Sequence, residues 1–257
     1  MFIDTHCHLD AAEFSVTSDA LVQEALAVGV STIVVPSVDV SNFAAVQNIC
    51  AQHAACAPAF GIHPMFVDRA TPADLDVLRE YLQKHPPVAV GEIGLDFFVE
   101  NFDQEKQEFY FSAQLKLAQE FDLPVLLHIR KAQDTILKHL RRTPVRGGIA
   151  HAFNGSPQQA AEFIKLGFKL GFGGAMTYPR ATRLRELAAT LPLDSIVLET
   201  DAPDIPPEFL PRGESNRPGY LPRIAGTLAE LRNMPLAEIA LITSANALAA
   251  LPLLKPA

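Results

Sequence analysis

Two histidines, His6 and His8, stand one residue apart in "FIDTHCHLD", at the end of the first apolar segment. On a strand, residues two apart face the same side. An H-x-H pair therefore aims two imidazoles at one point and sends Cys7 the other way. Three more histidines close apolar runs in the same fashion: His63 in "GIHP", His128 in "VLLHIR" and His151 in "GIAHAF". Two carboxylates do so as well, Glu92 in "VGEIGLD" and Asp201 in "VLETDAP". Imidazole with carboxylate is the donor mix of zinc, manganese, iron and similar divalent ions. His6, His8, Glu92, His128, His151 and Asp201 are more donors than one ion needs. They suit two ions, with Glu92 as the bridging carboxylate. A lone histidine at a strand end is more often a hydrogen-bonded structural residue; the whole set at matching depth is what points to metal.

Positioning such a set requires elements that bring distant residues to one face. Candidate strands fall at 2–7, 32–37, 57–62, 88–93, 124–129, 147–152, 168–173 and 195–200. Helical patterns lie between them near 18–28, 41–53, 72–84, 103–121, 131–141, 157–166 and 180–190, with two more near 220–232 and 236–250. Pro72, Pro157 and Pro235 suit first helical turns, Thr71 and Ser156 suit N-caps, and Gly29 and Gly167 suit helix stops. Eight strands alternating with helices in this length predict an α/β fold of the (β/α)₈ TIM-barrel type, as one domain over 1–257. In such a barrel the carboxyl ends of the strands share one face, and three of the six donors cap apolar residues two positions back: Val90 beneath Glu92, Leu126 beneath His128, Ile149 beneath His151. The competing doubly wound sheet predicts a glycine-rich phosphate loop after an early strand, and none is present. Asp4 and Glu199 fall deeper than the donors and suit hydrogen-bonding roles behind them.

Hydrophobic residues make up 49% of the chain and charged ones 19%, and no window is apolar enough to span a bilayer. The first residues carry no basic or cleavage signal. The odd number of cysteines (Cys7, Cys50, Cys56) lacks zinc-type spacing. A cytoplasmic monomer with free thiols is the expectation. The net charge of −8 excludes a protein that coats nucleic acid by charge alone, but not an enzyme that grips phosphate locally. Arg130, at the end of the fifth strand, is placed to do so. His63 and Arg212 are further substrate-binding candidates, and Arg180 and Arg217 weaker ones. The Gly171–Gly174 turn offers backbone N–H groups to an anion. The long irregular stretch 201–220 has the length of a functional loop.

The motifs "DTHCHLD", "GIHP", "VGEIGLDFF", "LPVLLHIRKA", "AHAFNGS", "GFGGAMTYPRA", "LETDAPD" and "RGESNRP" occur in order along the chain. In this it resembles the TatD family of metal-dependent hydrolases, the TatD-type deoxyribonucleases, and looks closest to the YjjV-like branch. The resemblance implies a (β/α)₈ barrel with two divalent ions (Mg, Mn or Zn). It implies one ion on His6, His8, Glu92 and Asp201 and a second on Glu92, His128 and His151. Ala152 stands where the family has cysteine, which excludes a thiol ligand there. Asp204 replaces a common aromatic residue, and "NALAAL" from Asn246 departs from the family's usual ending.

The reaction expected is phosphodiester hydrolysis by metal-activated water, on DNA or a small phosphoester, with Asp201 and Glu92 as catalytic residues and Asp201 handling the proton. Amide, lactone or phosphotriester hydrolysis on the same centre is the alternative. Related barrels for those reactions often carry a carboxylated lysine, and strand four has Glu92 instead. A metal-binding protein without catalysis and a nucleic-acid module without chemistry are further alternatives. No basic stripe or stacking motif in the sequence favours the last.

Overall fold

Helix starts follow the local chemistry of the caps. Ser156 Oγ accepts from Gln159 N at 3.1 Å while Gln159 Oε1 accepts from Ser156 N at 2.9 Å, a reciprocal box that opens a helix at Pro157. Asp74 Oδ2 accepts from Thr71 N at 2.7 Å before the helix that begins at Pro72. The computed structural model describes residues 1–255, so the last two residues of the expected 1–257 domain lie outside the described residues.

The strands are β1 Phe2–Asp4, β2 Val30–Pro36, β3 Cys56–Phe60, β4 Ala89–Asp96, β5 Val125–Arg130, β6 Gly148–Ala150, β7 Phe168–Phe172 and β8 Ile196–Leu198. The helices are α1 Ser18–Ala27, α2 Phe43–Gln52, α3 Pro72–Lys84, α4 Gln104–Glu120, α5 Gln133–Arg142, α6 Pro157–Lys165, α7 Thr182–Thr190, α8 Leu221–Arg232 and α9 Leu236–Ala250. The strands pair in parallel in the order β1 to β8. Thr5 N donates to Leu198 O at 3.1 Å and Asp201 N donates to His6 O at 2.8 Å, which draws β8 back to β1. The expected (β/α)₈ architecture is the one observed.

Two apolar layers hold it. Between sheet and helices lies the larger core, with Phe43, Phe60, Phe111, Phe153, Phe163 and Phe168 among its buried side chains. Inside the barrel, Ile3, Val34, Ala89, Leu126, Ile149 and Val197 form a second cluster. The last turn of α9 adds Ala247 and Ala250, and Leu251 and Leu254 follow, so the extra helix packs on this interior layer. Leu126 and Ile149 lie inside, as strand alternation requires. Val90 does not: it belongs to the outer core. The pairing of β4 with β5 slips between Val90 and Ile93, so alternation does not carry from Val90 to Glu92.

Candidate metal centre

The carboxyl ends of the strands open onto a cavity of about 800 Å³. At its floor, His6 Nε2 lies 3.3 Å from His8 Nε2 and 3.1 Å from Glu92 Oε2. Asp201 Oδ1 stands 3.8 Å from His6 Nε2 and 3.7 Å from His8 Nε2. The other oxygen of Glu92 faces a different set: Oε1 is 3.0 Å from His128 Nδ1 and 3.5 Å from His63 Nε2. His151 stacks on His6 with ring centroids 3.7 Å apart, and its Nε2 lies 3.4 Å from Asp201 Oδ2. One buried carboxylate thus stands between two groups of imidazoles.

Three groups of donor atoms are close enough to share an ion: His6–His8–Asp201, His6–Glu92–His151, and His63–Glu92–His128. The donor chemistry fits a divalent cation. Imidazole nitrogens and carboxylate oxygens that converge this way carry too few protons to satisfy one another, whereas a cation satisfies all of them. The charge of the cavity agrees. Asp10, Glu13, Glu92, Glu199, Asp201 and Asp204 line it, and Arg130 is the one Lys or Arg among its described lining residues.

Protonation follows the neighbours. Burial alone would raise the Glu92 carboxyl, but the facing His6, His63 and His128 outweigh it and hold Glu92 well below the ordinary range. Burial likewise opposes ionisation of Asp201, and His151, His6 and His8 reverse it, keeping Asp201 low. Burial pushes His63 down to about 4 and lowers His6. Burial also works against the charged form of His128 and His151, but Asp96 with Glu92 raises the first, and Glu199 with Asp201 raises the second well above its usual value.

A family model for "TatD related DNase" matches residues 3–252. The chain belongs to this family. It is a TatD-family metal-dependent hydrolase. It is 44% identical to the uncharacterized metal-dependent hydrolase YjjV of Escherichia coli (strain K12), over 93% of each chain. It is 32% identical to the 3'-5' ssDNA/RNA exonuclease TatD of Klebsiella pneumoniae (strain 342), over 95% of each. The crystal structure of YJJV, a TatD homologue from E. coli, superposes with a TM-score of 0.94 at 41% identity, covering 98% of both chains.

Within this TatD-family frame all six expected donors meet at the mouth, and His63, which lines the cavity, joins them, facing Glu92 and His128. In the structure His151 sits beside His6, while the space next to Glu92 and His128 is taken by His63. Asp96 is the residue sequence reading missed. Its Oδ2 accepts from His128 Nε2–H at 2.9 Å, which leaves Nδ1 facing Glu92. It escaped because the strand runs three residues past its expected end at 93, and Asp96 closes it. Glu199 lies behind His151, 3.1 Å from Nδ1, and accepts from Ala152 N at 2.6 Å.

Arg130 reaches the cavity as expected, whereas Arg212 and the Gly171–Gly174 turn depart from expectation. Arg130 lines the cavity, but its guanidinium lies over the Phe98 ring, 3.9 Å from the centroid. Arg212, in the loop after β8, is exposed and does not line the cavity. The Gly171–Gly174 turn is no anion cradle. A side chain at Gly171 would collide with Glu199 Oε2, so this glycine makes room for a carboxylate, and a carboxylate repels an anion. No helix among the described residues is long and apolar enough to cross a membrane.

Proposed function

We propose that the protein is a divalent-metal-dependent nuclease that hydrolyses phosphodiester bonds of DNA from a chain end. The observation that carries this reading is Glu92, 2% exposed, with its two oxygens turned to two separate sets of imidazoles. His6, His8, Glu92 and Asp201 would hold one ion, and Glu92 and His128 with His151 or His63 the second. When bound, a divalent ion supplies Lewis acidity, lowering the pKa of a water towards about 7 and neutralising phosphoryl oxygens.

The chain's own residues do the rest. His6, His8 and Asp201 fix one side of the reacting centre, and the backbone bond from Asp201 N to His6 O holds the two strand ends in register. Asp201 is kept ionised by His151 and lies at the mouth, so its carboxylate takes the proton of the attacking water and returns it to the leaving 3′ oxygen. Asp96 and Glu199 orient the rings of His128 and His151 from behind. The relative named as an exonuclease on single-stranded DNA and RNA supports the choice of substrate. Three free cysteines, two of them buried, suit a reducing cytoplasm.

The test is digestion of end-labelled single-stranded DNA by metal-stripped protein, with Mg²⁺, Mn²⁺ or Zn²⁺ added back, beside Glu92→Ala. Metal-dependent cleavage that the variant lacks is the expected result. A folded wild-type protein that cleaves with none of the metals would refute the DNA assignment and turn the search to small phosphoesters.

A further inference from the structure

After β4 the chain reads Asp96-Phe97-Phe98, and the two phenylalanines part company. Phe97 packs on the core and stacks on Phe102, with centroids 5.1 Å apart. Phe98 is 50% exposed. The turn that sends it outward is fixed by Asp96, whose Oδ1 accepts from Phe98 N at 2.9 Å and Val99 N at 3.3 Å. Phe97 N donates to Arg130 O at 2.8 Å, which bonds the end of β5 to the same turn. Successive side chains on a strand point to opposite faces. Here Lys131 adopts a left-handed φ of 54°, and two successive cations reach one ring: Arg130 Cζ lies 3.9 Å and Lys131 Nζ 4.6 Å from the Phe98 centroid.

A single exposed phenylalanine needs no explanation. This one differs in its mounting. The carboxylate that holds its turn also accepts from His128 Nε2–H at 2.9 Å, so ring and donor cluster share one anchor. Phe98 is two residues past that anchor, at most about 7 Å of backbone away. Of the two cations beside it, Arg130 also lines the cavity, whose other lining residues include Asp10, Glu13 and Asp204, which repel a polyanion. A strand entering this mouth is favoured on the side of Arg130, over which Phe98 stands.

We infer that Phe98, Arg130 and Lys131 form a stacking subsite for a nucleobase of single-stranded DNA next to the scissile phosphodiester, with the two cations on adjoining phosphates. The inference rests on the nuclease reading and adds where the strand lies. An aromatic face accepts any base, so the subsite supplies affinity without sequence preference. The guanidinium plane over the ring extends the stacking surface.

The experiment is anisotropy titration of a fluorescein-labelled oligo-dT with phosphorothioate linkages, using the full-length protein with the metal it purifies with. Phe98→Ala should raise Kd about tenfold, Phe98→Trp should restore it, and Phe98→Leu should not. Lys131→Ala should reduce the slope of log Kd against log salt by about 0.7. An unchanged Kd for Phe98→Ala overturns the subsite, and wild-type cleavage alongside it leaves the nuclease reading intact. Binding that depends on Phe98, without cleavage by wild type, keeps the subsite and overturns the nuclease chemistry. Neither binding nor cleavage overturns both.

Discussion

The molecule carries two histidine–carboxylate constellations that differ in how their protons are shared. Between α4 and α5, His139 Nε2–H donates to Glu108 Oε2 at 2.8 Å and Nδ1 accepts from Ser112 Oγ at 3.0 Å. Each ring nitrogen has one partner of the right kind, and the clamp is complete as it stands. At the barrel mouth the pattern is the reverse. Nε2 atoms face one another and face carboxylates, while His6 Nδ1 and His8 Nδ1 are buried without a hydrogen-bond partner. On paper the Ser112–His139–Glu108 row has the residue types of a nucleophilic triad. It nevertheless stands outside the cavity and ties two helices together. Residue types alone do not separate a site from a strut; unsatisfied valence beside a cavity does.

The largest effect should come from removing the shared carboxylate. Glu92→Gln keeps the volume and removes the charge that both imidazole sets face. Hydrolysis of bis(p-nitrophenyl) phosphate with Mn²⁺ should fall on the order of 10⁴-fold. The wild type should also gain about 2.7 kcal/mol of stability at a metal concentration 100 times Kd, and thermal melting should show the variant losing most of that gain. A variant that keeps both would mean that the two sets act independently of Glu92.

Next comes Asp96, which touches no substrate and works through His128. Asp96→Asn keeps a polar group beside Nε2 but loses the charge that fixes the tautomer. Metal affinity or activity should drop about 10- to 100-fold. A metal titration separates this from a structural loss, because added Mn²⁺ should rescue activity in a positioning variant and leave a misfolded one inert.

Much of this arrangement was legible in the sequence because period and punctuation are local. Among the described residues, the eight strands and nine α-helices occur where strand-like runs, caps and stop glycines put them, with α3 and α9 matching end to end. The six mouth donors were legible for the same reason: each closes an apolar run, and a barrel gathers such ends. What escaped depends on backbone departures that residue type does not announce. Ala152 (φ 42°), Lys131 (φ 54°) and Asp201 (φ 58°) follow or cap strand ends in left-handed conformations, yet none is a glycine or an asparagine. The slip in β4 moved Val90 outward and let Asp96 reach His128, and Lys131 turned two cations onto Phe98. Long-range departures of this kind decide which of the arginines meet the cavity.

The clamp at His139 should show the opposite signature to the mouth. His139→Ala leaves a half-buried carboxylate and a hydroxyl without their partner, which costs about 1–3 kcal/mol in urea unfolding, with turnover at 25 °C unchanged. Loss of activity in proportion to loss of stability would make the helix pair part of the site after all.

The smallest effect is the most discriminating, because it reads the clamp through pH. Partial burial works against the Glu108 carboxylate, but Gln104 and His139 outweigh it and lower its pKa below the ordinary value of 4.5. A carboxyl whose folded pKa lies below its unfolded one contributes stability that is fully present above the unfolded value. That contribution is lost as pH falls through the folded value. Wild-type stability should therefore slope downward below about pH 4.5, where the unfolded chain takes up protons that the folded clamp refuses. Glu108→Gln should flatten that part of the curve by no more than a few tenths of a kcal/mol, since the pair is partly exposed and solvent screens it. If the acid limb keeps its full slope in Glu108→Gln, the lowered carboxylate that matters lies elsewhere. Asp39, held low by Ser41 and Arg69 against its own burial, is then the next to replace.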